Sequence, residues 1–413
     1  MKVSTKNILL FLWTLALLCF RPSIFGEKYN LLVCIVFLFL TFLVITTGNY
    51  LIRKNQFAVF ALIALMAFYF LAQGFILKAP TAIVFNSCFL IVFVSISIAI
   101  VTSYNAVQII KAFILIHVAL SLSSIVTIFL YILFGLNPDG LISITDLNDL
   151  VGRPHLEYIY AFEGHTLYFP YSVNWASIGV AGHPIPRMLG IYREAGMAQI
   201  FFFTAYFMSY LVDFNRTRLI RTMLLLGGIL TFSTSGLLSF FAGYILLNHF
   251  PQWKFRFSTR KFVIAFIAVP LILFVLIFAP DIGVLDKVAS LSGGQRTQSF
   301  LHSVKLLSEN PVFGTGYYKG FENMDSRGEE YVQFLGIIGV AYQIGFVGII
   351  LYFLPWIYAI NYFHSKKTVF VLAPCLVTLF FSQPSYNDMI VWFLLLINFK
   401  ETSQQQHTYF HPL

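Results

Sequence analysis

Residues 82–103 read AIVFNSCFLIVFVSISIAIVTS, and residues 112–136 read AFILIHVALSLSSIVTIFLYILFGL. Neither stretch contains a lysine, arginine, aspartate or glutamate. Each is long enough to cross the hydrocarbon core of a bilayer as an α-helix, which takes about 20 apolar residues. The apolar residues follow one another without the alternation that marks a membrane β-barrel. The two stretches therefore predict a pair of membrane-spanning helices.

The rest of the chain has the same character. Of its 413 residues, 59% are hydrophobic and 10% are charged, whereas charged residues make up about 25% of a soluble domain. The four cysteines, Cys19, Cys34, Cys88 and Cys375, lie inside apolar stretches and lack the spacing of a metal or redox site. The composition excludes a soluble protein, a disordered chain and a secreted disulfide scaffold.

Twelve apolar stretches lie at about 8–20, 31–48, 57–77, 82–103, 112–136, 196–212, 219–233, 236–250, 262–280, 331–361, 369–384 and 387–399. The first of them resembles a signal peptide, but no small-x-small cleavage site follows and Arg21 ends it, so we expect a transmembrane helix. The sequence thus predicts an all-α polytopic integral membrane protein with about twelve spans.

Two long polar segments divide this pattern into five parts. We expect transmembrane helices one to five at 1–136, a first outer loop at 137–195 and helices six to nine at 196–280. A second outer loop with an amphipathic helix follows at 281–330, and helices ten to twelve with a cytoplasmic tail occupy 331–413.

The positive charges predict the orientation of the chain. With a cytoplasmic N-terminus, fifteen lysines and arginines lie in inner segments and three lie in the short outer loops, as the positive-inside rule requires. Both termini are therefore predicted to be cytoplasmic. The net charge of +9 is interpreted as a mark of orientation and of contact with anionic lipid, not of nucleic-acid binding. Thirteen of the seventeen acidic residues lie in the two long outer loops, so polar chemistry is expected at the outer face.

Residues 222–248 are too few for two ordinary spans, although the basic segments RTRLIR and KFRFSTRK on either side should both stay cytoplasmic. The break Ser233-Thr234-Ser235-Gly236 favours a short or partly re-entrant hairpin, which is tolerated where protein or a water cavity covers it. A single kinked span remains the alternative.

The first outer loop ends in GHPIPRMLGIYREAGMAQIFF, residues 182–202. Pro184 and Pro186 forbid a helix before position 187. A helix from there onward would place Arg187, Gly190 and Glu194 on one face, with Arg193 at its flank and His183 upstream. Such a face can bind a ligand, or its residues can snorkel at the membrane interface and pair with each other.

The second outer loop contains GGQRTQSFLHSVKLLSENPVFGTGYYKGF, residues 293–321. It predicts an amphipathic helix over about 295–308, with Arg296 on a polar edge and an apolar stripe of Phe300, Leu301, Val304 and Leu307. Asn310 and Pro311 should end it. The turn that follows can cradle a phosphate through the amides of Gly314 and Gly316, beside Tyr317. The alternative is a helix lying on the outer membrane surface.

The outer histidines His155, His165, His183 and His302 lack metal-ligand spacing, and no Walker or GxSxG motif occurs. We expect no metal, no nucleotide and no other cofactor. A reaction that needs no energy source beyond an already activated, lipid-linked donor fits this pattern.

Two motifs resemble the signatures of one family. Arg187-x-x-Gly190-x-x-x-Glu194 before an aromatic span resembles the R-x-x-G-x-x-x-E-P motif of Wzy-type O-antigen polymerases, with Ala195 in place of proline. Arg296, followed by Asn310-Pro311-x-x-Gly314-x-Gly316, is similar to the second signature. The hairpin TFSTSGLLSFF at 231–241 and the Gly345-x-x-Gly348 span resemble two further segments.

The resemblance implies a glycosyltransferase type C-like fold in the bacterial inner membrane, with its active site on the periplasmic side. It implies transfer of a growing glycan from undecaprenyl pyrophosphate to the sugar of another lipid-linked repeat unit. Membrane lipid, a chain-length regulator and a flippase are the implied partners.

The resemblance also implies roles for single residues. Arg187, Arg296 and Arg193 would bind the leaving pyrophosphate, since an arginine fork binds phosphate in bidentate fashion and stays charged. Glu194 would act as the base for the acceptor hydroxyl or would hold Arg187 in position. His183, Asn310, Gly314, Gly316 and Tyr317 would contact the substrate.

Three other functions stay open. One is a polytopic sensor or scaffold, against which the clustering of arginines and acidic residues in the two long loops argues. An O-antigen ligase would use the same donor with lipid A core as the acceptor, but the His-Asn pair of many such ligases is replaced here by Gly328-Glu329-Glu330-Tyr331. A lipid-linked oligosaccharide flippase would show internal repeats and charges within its spans, and the sequence shows neither clearly.

Overall fold

A computed structural model describes 4–20, 22–48, 52, 54–78, 81–134, 142–143, 166–167, 175–180, 183–192, 195–233, 240–241, 244, 304–317, 336–363, 376 and 389–397. Most of these residues are helical. The apolar runs 236–250, 262–280 and 369–384 lie almost wholly outside this part of the chain, and no helix bounds are given for them.

Four helices make up the first part: α1 (Thr5–Leu18), α2 (Ile24–Thr46), α3 (Lys54–Ile76) and α4 (Thr81–Phe134). Serine side chains cap the first two. Ser4 accepts a hydrogen bond from the Asn7 amide, and Ser23 accepts one from the Phe25 amide, which satisfies amides that a helix start leaves unpaired. The first apolar run is therefore helical, as expected.

Helix α4 differs from the expected pair of spans, because it continues through residues 104–111 without a loop. The segment YNAVQIIK contains no glycine or proline, so only a kink separates the two halves. The kink lies at Asn105, whose φ of −125° and ψ of 17° are not helical. Its side-chain amide donates to the carbonyl of Val101 at 3.0 Å. At a rise of about 1.5 Å per residue, the 54 residues of α4 far exceed the length that one bilayer crossing takes. The expected division into two spans stays a prediction.

The first outer loop contains strands, which the all-α expectation did not include. Strands β1 (Ile142–Ser143) and β2 (Thr166–Leu167) form one antiparallel pair. Strands β3 (Trp175–Val180) and β4 (His183–Met188) form a second antiparallel pair. A two-stranded hairpin leaves both strands at an edge, where proline is tolerated, and β4 carries two prolines.

The second part contains helices α5 (Ala195–Met208), α6 (Thr217–Ile229), α7 (Gly336–Tyr358) and α8 (Met389–Leu396). Every residue of α5 and α8 is buried, as expected of helices that are apolar on all sides and lie inside a bundle. Helix α5 packs against α4 and α6, α8 packs against α4, and α7 packs against α3. A π-helical segment, Ala359–Phe363, extends α7.

Among the described residues, four helical segments are long and apolar enough to cross a membrane: Tyr29–Thr46, Lys54–Ile76, Val84–Phe134 and Ala341–Asn361. Helices α1 and α5 are apolar but shorter. This arrangement fits an integral membrane protein built from helices. The number of twelve spans stays a prediction, because several of the runs lie outside the described residues.

Helix α7 is interrupted at Gly345, whose φ of 64° and ψ of −179° only glycine adopts readily. The run expected at 331–361 therefore consists of two helical pieces with a gap between them. Because the gap lies within a predicted span, its carbonyl and amide groups need partners from the protein itself. The second outer loop provides them, as described below.

Candidate active site

Arg187 lies in strand β4, and this corrects the helix expected from position 187 onward. Its backbone pairs with Ala176 of β3. Gly190 then adopts a φ of +59°, and the amide of Tyr192 donates to the carbonyl of Leu189, which closes a turn. Helix α5 begins only at Ala195. Arg187 and Gly190 therefore share no helical face, because the edge strand and the turn occupy the residues that such a helix would need.

The Arg187 side chain is half-buried and is held in place by the turn that follows α6. Its Nε atom donates to the carbonyl of Thr231 at 3.0 Å. The backbone makes a second link, since the Met188 amide donates to the carbonyl of Leu230 at 3.1 Å. A guanidinium group held through Nε has a fixed plane, and therefore a fixed direction for its fork.

Helix α5 supports the same segment from the other side. The side-chain nitrogen Nε2 of Gln199 donates to the carbonyl of Gly228 at 3.2 Å and to that of Ser233 at 2.7 Å. These carbonyls belong to the end of α6 and to the turn after it, where Phe232 has a φ of +48°. The bonds hold backbone groups that the end of α6 leaves without a helical partner.

Two glycines let α6 approach its neighbours closely. A Cβ atom on Gly227 would lie 2.9 Å from the Cβ of Ser121 in α4. A Cβ atom on Gly228 would lie 2.9 Å from Cδ1 of Phe203 in α5 and closer still to the neighbouring ring carbon. Small residues permit such close packing of membrane helices. The Thr231 carbonyl that holds Arg187 is thus fixed by tight packing of α6 against α4 and α5.

Tyr192 anchors the end of the same loop. Its side chain is buried, and its hydroxyl lies 2.6 Å from Nε2 of His117 in α4. Nδ1 of His117 lies 2.7 Å from the carbonyl of Phe113. Burial raises the pKa of the Tyr192 hydroxyl well above its ordinary value, so the phenol is protonated and can donate.

In the second outer loop, residues 304–309 are helical. The helix ends at Asn310 and Pro311, as the sequence predicts. The expected apolar stripe differs in one position. Leu306 is buried against Tyr342, whereas Val304 is exposed. The helix therefore turns a different face towards the protein than the spacing of the apolar residues indicates.

The residues after Pro311 pair with the interruption of α7. The amides of Thr315 and Gly316 donate to the carbonyls of Tyr342 and Gln343 at 2.8 and 3.0 Å. In return, the amides of Phe346 and Val347 donate to the carbonyls of residues 311 and 312 at 2.9 and 3.2 Å. The gap in α7 is thus closed by backbone bonds to the loop.

Gly314 allows this close approach. Its φ is +73°, and a Cβ atom there would lie less than 3.0 Å from the backbone of Gln343 and Gly345. The Gly314 amide donates to the carbonyl of Asn310 at 2.9 Å. The amides of 314, 315 and 316 thus all donate within the protein, and the geometry gives the two glycines a structural task. Their role in substrate binding stays a prediction.

Helix α3 adds side-chain bonds to the same junction. The side-chain nitrogen Nε2 of Gln73 donates to the carbonyls of Phe313 and Gln343. The hydroxyl of Tyr69 donates to the carbonyl of Ile344 at 3.1 Å. Tyr317 is fully buried, and its ring stacks on Phe70 at a centroid distance of 4.6 Å. Tyr317 therefore packs inside the protein in this structure.

The structure thus joins the four segments of the family resemblance into two pairs. The first signature contacts the hairpin through Arg187, and the second contacts the Gly345-x-x-Gly348 span through 311–316. Comparisons with models of protein families, with curated proteins and with solved structures find no match.

Several predicted site residues lie outside the described residues. Glu194, Arg193 and Arg296 are among them, and their roles stay predictions. For His183 only the backbone is described, and it pairs with Val180 at the end of the hairpin. Within the described part of the chain, no group of three His, Cys, Asp or Glu side chains forms a candidate metal site.

Four residues that hold the Arg187 motif against the bundle are not predicted from the sequence: His117, Tyr192, Gln199 and Thr231. His117 and Gln199 carry a signal, because a polar side chain within an apolar membrane helix is costly and usually serves a purpose. Tyr192 lies between Arg187 and Glu194 in the sequence, and its aromatic character alone does not reveal its buried partner. Thr231 acts through its carbonyl, which no sequence pattern reports.

Proposed function

We propose that the protein is a polysaccharide polymerase that acts on lipid-linked repeat units at the outer face of a bacterial inner membrane. It would transfer a growing glycan from undecaprenyl pyrophosphate to the sugar of another lipid-linked repeat unit. We further propose twelve spans, a glycosyltransferase type C-like arrangement and two cytoplasmic termini.

One observation carries the proposal. Arg187, the arginine of the first signature, is held by the hairpin that also resembles the family. The bond joins residues that are 44 positions apart in the sequence, and the spacing within each motif does not predict it. A fixed guanidinium group at the end of a long outer loop is suited to a multiply charged leaving group.

The reaction balances without a further reactant. The acceptor hydroxyl oxygen attacks the anomeric carbon of the donor glycan and forms the new glycosidic bond. The bond between this carbon and the pyrophosphate oxygen breaks, and undecaprenyl pyrophosphate leaves with the electron pair. The hydroxyl proton passes to a base, for which Glu194 is the proposed carboxylate.

In this reaction Arg187 and Arg296 stabilise the negative charge that grows on the pyrophosphate. Arg193 assists them, and Glu194 either accepts the proton or holds Arg187. His183 and Asn310 belong to the proposed substrate-binding region, and Tyr317, buried against Phe70, would support this region from inside the protein. The proposal needs no metal or cofactor. Its partners are the lipid-linked oligosaccharide, membrane lipid, a chain-length regulator and a flippase.

Deleting the gene that encodes this chain and examining the surface polysaccharide on a gel tests the function. A polymerase leaves a single repeat unit on lipid A core, and complementation restores the ladder. Bare core would indicate the O-antigen ligase instead. A normal ladder in the deletion strain would contradict both transferase functions.

The interruption of α7 favours a second candidate, a lipid-linked oligosaccharide flippase. Transporters often carry discontinuous helices at their substrate sites. Here the gap at Gly345 is closed by the second outer loop and by Gln73. The test is the location of the lipid-linked repeat unit in the deletion strain. A flippase defect leaves it in the inner leaflet, whereas a polymerase defect lets it reach the outer leaflet.

A further inference from the structure

Tyr192 and His117 form a buried hydrogen-bonded pair between the first outer loop and α4. We propose that the two are positioning residues: they fix the segment 187–192 on the bundle and thereby set where Arg187 presents its charge. As far as catalysis is concerned, this inference rests on the proposed function. The anchoring itself can be measured without any reaction.

The hydrogen bonds of the pair run in one direction. The carbonyl of Phe113 can only accept, so Nδ1 of His117 carries the proton. The imidazole is buried and contacts the rings of Phe113, Phe201 and Phe202, where a charge would be costly. Neutral imidazole has one acceptor nitrogen, which is then Nε2. The Tyr192 hydroxyl therefore donates to it.

The segment between Arg187 and Tyr192 is short and anchored at both ends. Residues 187 and 188 bind the carbonyls of Thr231 and Leu230. At the other end, Tyr192 pairs with Ser23 through the backbone, and its ring lies 4.4 Å from that of Phe201. A chain this short transmits a displacement of one end to the other, so a shift of Tyr192 should move Arg187.

The hydrogen bond of the pair depends on the hydroxyl group of Tyr192. Tyr192→Phe keeps the ring and its packing but leaves the Nε2 acceptor buried without a donor, which is costly. His117→Leu removes the acceptor and leaves the hydroxyl without its imidazole partner. His117→Gln keeps a donor and an acceptor in one side chain. Gln at 117 should therefore preserve the anchoring better than Leu does.

Labelling measures the anchoring directly. Leu189 is 2% exposed, so a cysteine at this position should react slowly with a membrane-impermeant maleimide. Adding Tyr192→Phe or His117→Leu should raise the labelling rate about tenfold, which corresponds to about 1.4 kcal/mol. His117→Gln should raise it less. The chain without the new cysteine gives the background from the four native thiols.

Tyr206→Phe is the matched control. Tyr206 is a buried residue of α5, and its hydroxyl lies 3.1 Å from that of Tyr210 in the turn after the helix, so the variant also removes a hydrogen-bonded hydroxyl. It should leave the labelling rate unchanged. Equal labelling of the parent and Tyr192→Phe proteins would overturn the anchoring.

A double-variant cycle tests the catalytic part. Polymer formation from lipid-linked repeat units in vesicles, per amount of folded protein, should fall with Tyr192→Phe alone. It should fall no further when Tyr192→Phe is added to Arg187→Ala, because Tyr192 acts through Arg187. Additive losses would overturn the positioning role. Normal polymer from Arg187→Ala would instead contradict the proposed function, while the labelling would still decide the anchoring.

Discussion

The Arg187 side chain donates from Nε to a backbone carbonyl, that of Thr231. A carbonyl carries no net charge, so this bond orients the guanidinium group without neutralising it. An oriented positive charge suits a group that must stabilise negative charge during a reaction. Arg187 thus has two properties, its hydrogen bond to the Thr231 carbonyl and its positive charge, and substitutions can remove one without the other.

We expect Arg187→Gln and Arg187→Lys to lower polymer formation roughly a hundredfold while the protein stays in the membrane. Gln keeps a donor for the Thr231 carbonyl without the charge, and Lys keeps the charge without the fork. Removing one donor to developing negative charge costs about 2.7 to 4 kcal/mol, or roughly a hundredfold or more in rate. The measurement is the length of the polysaccharide ladder on a gel, at equal protein amounts.

Arg221 provides the matched control. It is also half-buried and hydrogen-bonded to a backbone carbonyl, that of Ser209, at 3.1 Å. Arg221→Gln should leave the ladder unchanged, and Arg296→Ala should shorten it as Arg187 variants do. A full ladder from Arg187→Gln at normal expression would show that only the bond to Thr231 matters, and the pyrophosphate assignment would be wrong.

Gly314 and Gly190 should respond differently to alanine, although both have positive φ angles. At Gly314 an added Cβ meets backbone atoms, whereas at Gly190 it lies 3.6 Å from the flexible Leu120 side chain. We expect Gly190→Ala to cost about 1 kcal/mol from the backbone conformation alone. Gly314→Ala adds an overlap and should cost about 2 to 4 kcal/mol. Thermal denaturation in detergent measures both losses of stability, with the fraction of protein that remains monodisperse recorded at each temperature. Equal losses would contradict the close contact between 314 and α7.

At the scale of elements, the helices follow from apolar runs and the outer-loop strands do not. Runs such as 57–77 predict helices because length and continuous hydrophobicity suffice, and α3 lies at Lys54–Ile76. The strands β3 and β4 were missed because their sequences WASIGV and HPIPRM alternate weakly. Their pairing depends on the register of the β3–β4 hairpin. A helix over 187–194 is incompatible with this pairing, so expecting the helix excluded the strand.

The candidate site was predictable only in part, for a related reason. Arg187 and Gly314 stand out as residue types in a motif. Their partners are the carbonyl of Thr231 and the interruption of α7, and backbone groups leave no trace in a sequence. The gap at Gly345 is also hidden, because a glycine within an apolar run is compatible with an uninterrupted helix and does not by itself indicate a break.

Helix α6 has 13 residues, fewer than the about 20 that a full crossing takes. This agrees with the first arm of a short or re-entrant hairpin, although residues 234–239 lie outside the described part of the chain. We expect a cysteine at Ser235 to react with an impermeant maleimide added from the outer side. A cysteine at Thr222, at the start of the hairpin, should react only after the membrane is opened. Labelling of Ser235→Cys from the cytoplasmic side alone would contradict the outward-facing turn.

At the scale of the molecule, polar side chains link distant helices inside the bundle. Gln56 of α3 donates to Thr102 of α4 at 3.2 Å and to the carbonyl of Leu396, the last residue of α8, at 3.1 Å. Gln73, five turns further along α3, joins the gap in α7. Hydrogen bonds between membrane helices contribute modestly to stability, but their geometry is specific. Helix α3 thus fixes two C-terminal helices at its two ends.

The orientation of the whole molecule in the membrane decides whether the two signature loops can form one site. Reporters fused after Asp146 and after Asn323 should show a periplasmic location. Reporters fused after Arg218, Arg256 and Lys366 should show a cytoplasmic one. The physical reason is the excess of positive charge in the inner segments, fifteen residues against three in the short outer loops. Alkaline phosphatase activity marks the outer fusions, and fluorescence of a cytoplasmic reporter marks the inner ones. A cytoplasmic result at Asn323 would place Arg296 and Arg187 on opposite sides of the membrane, and no single pyrophosphate could then contact both.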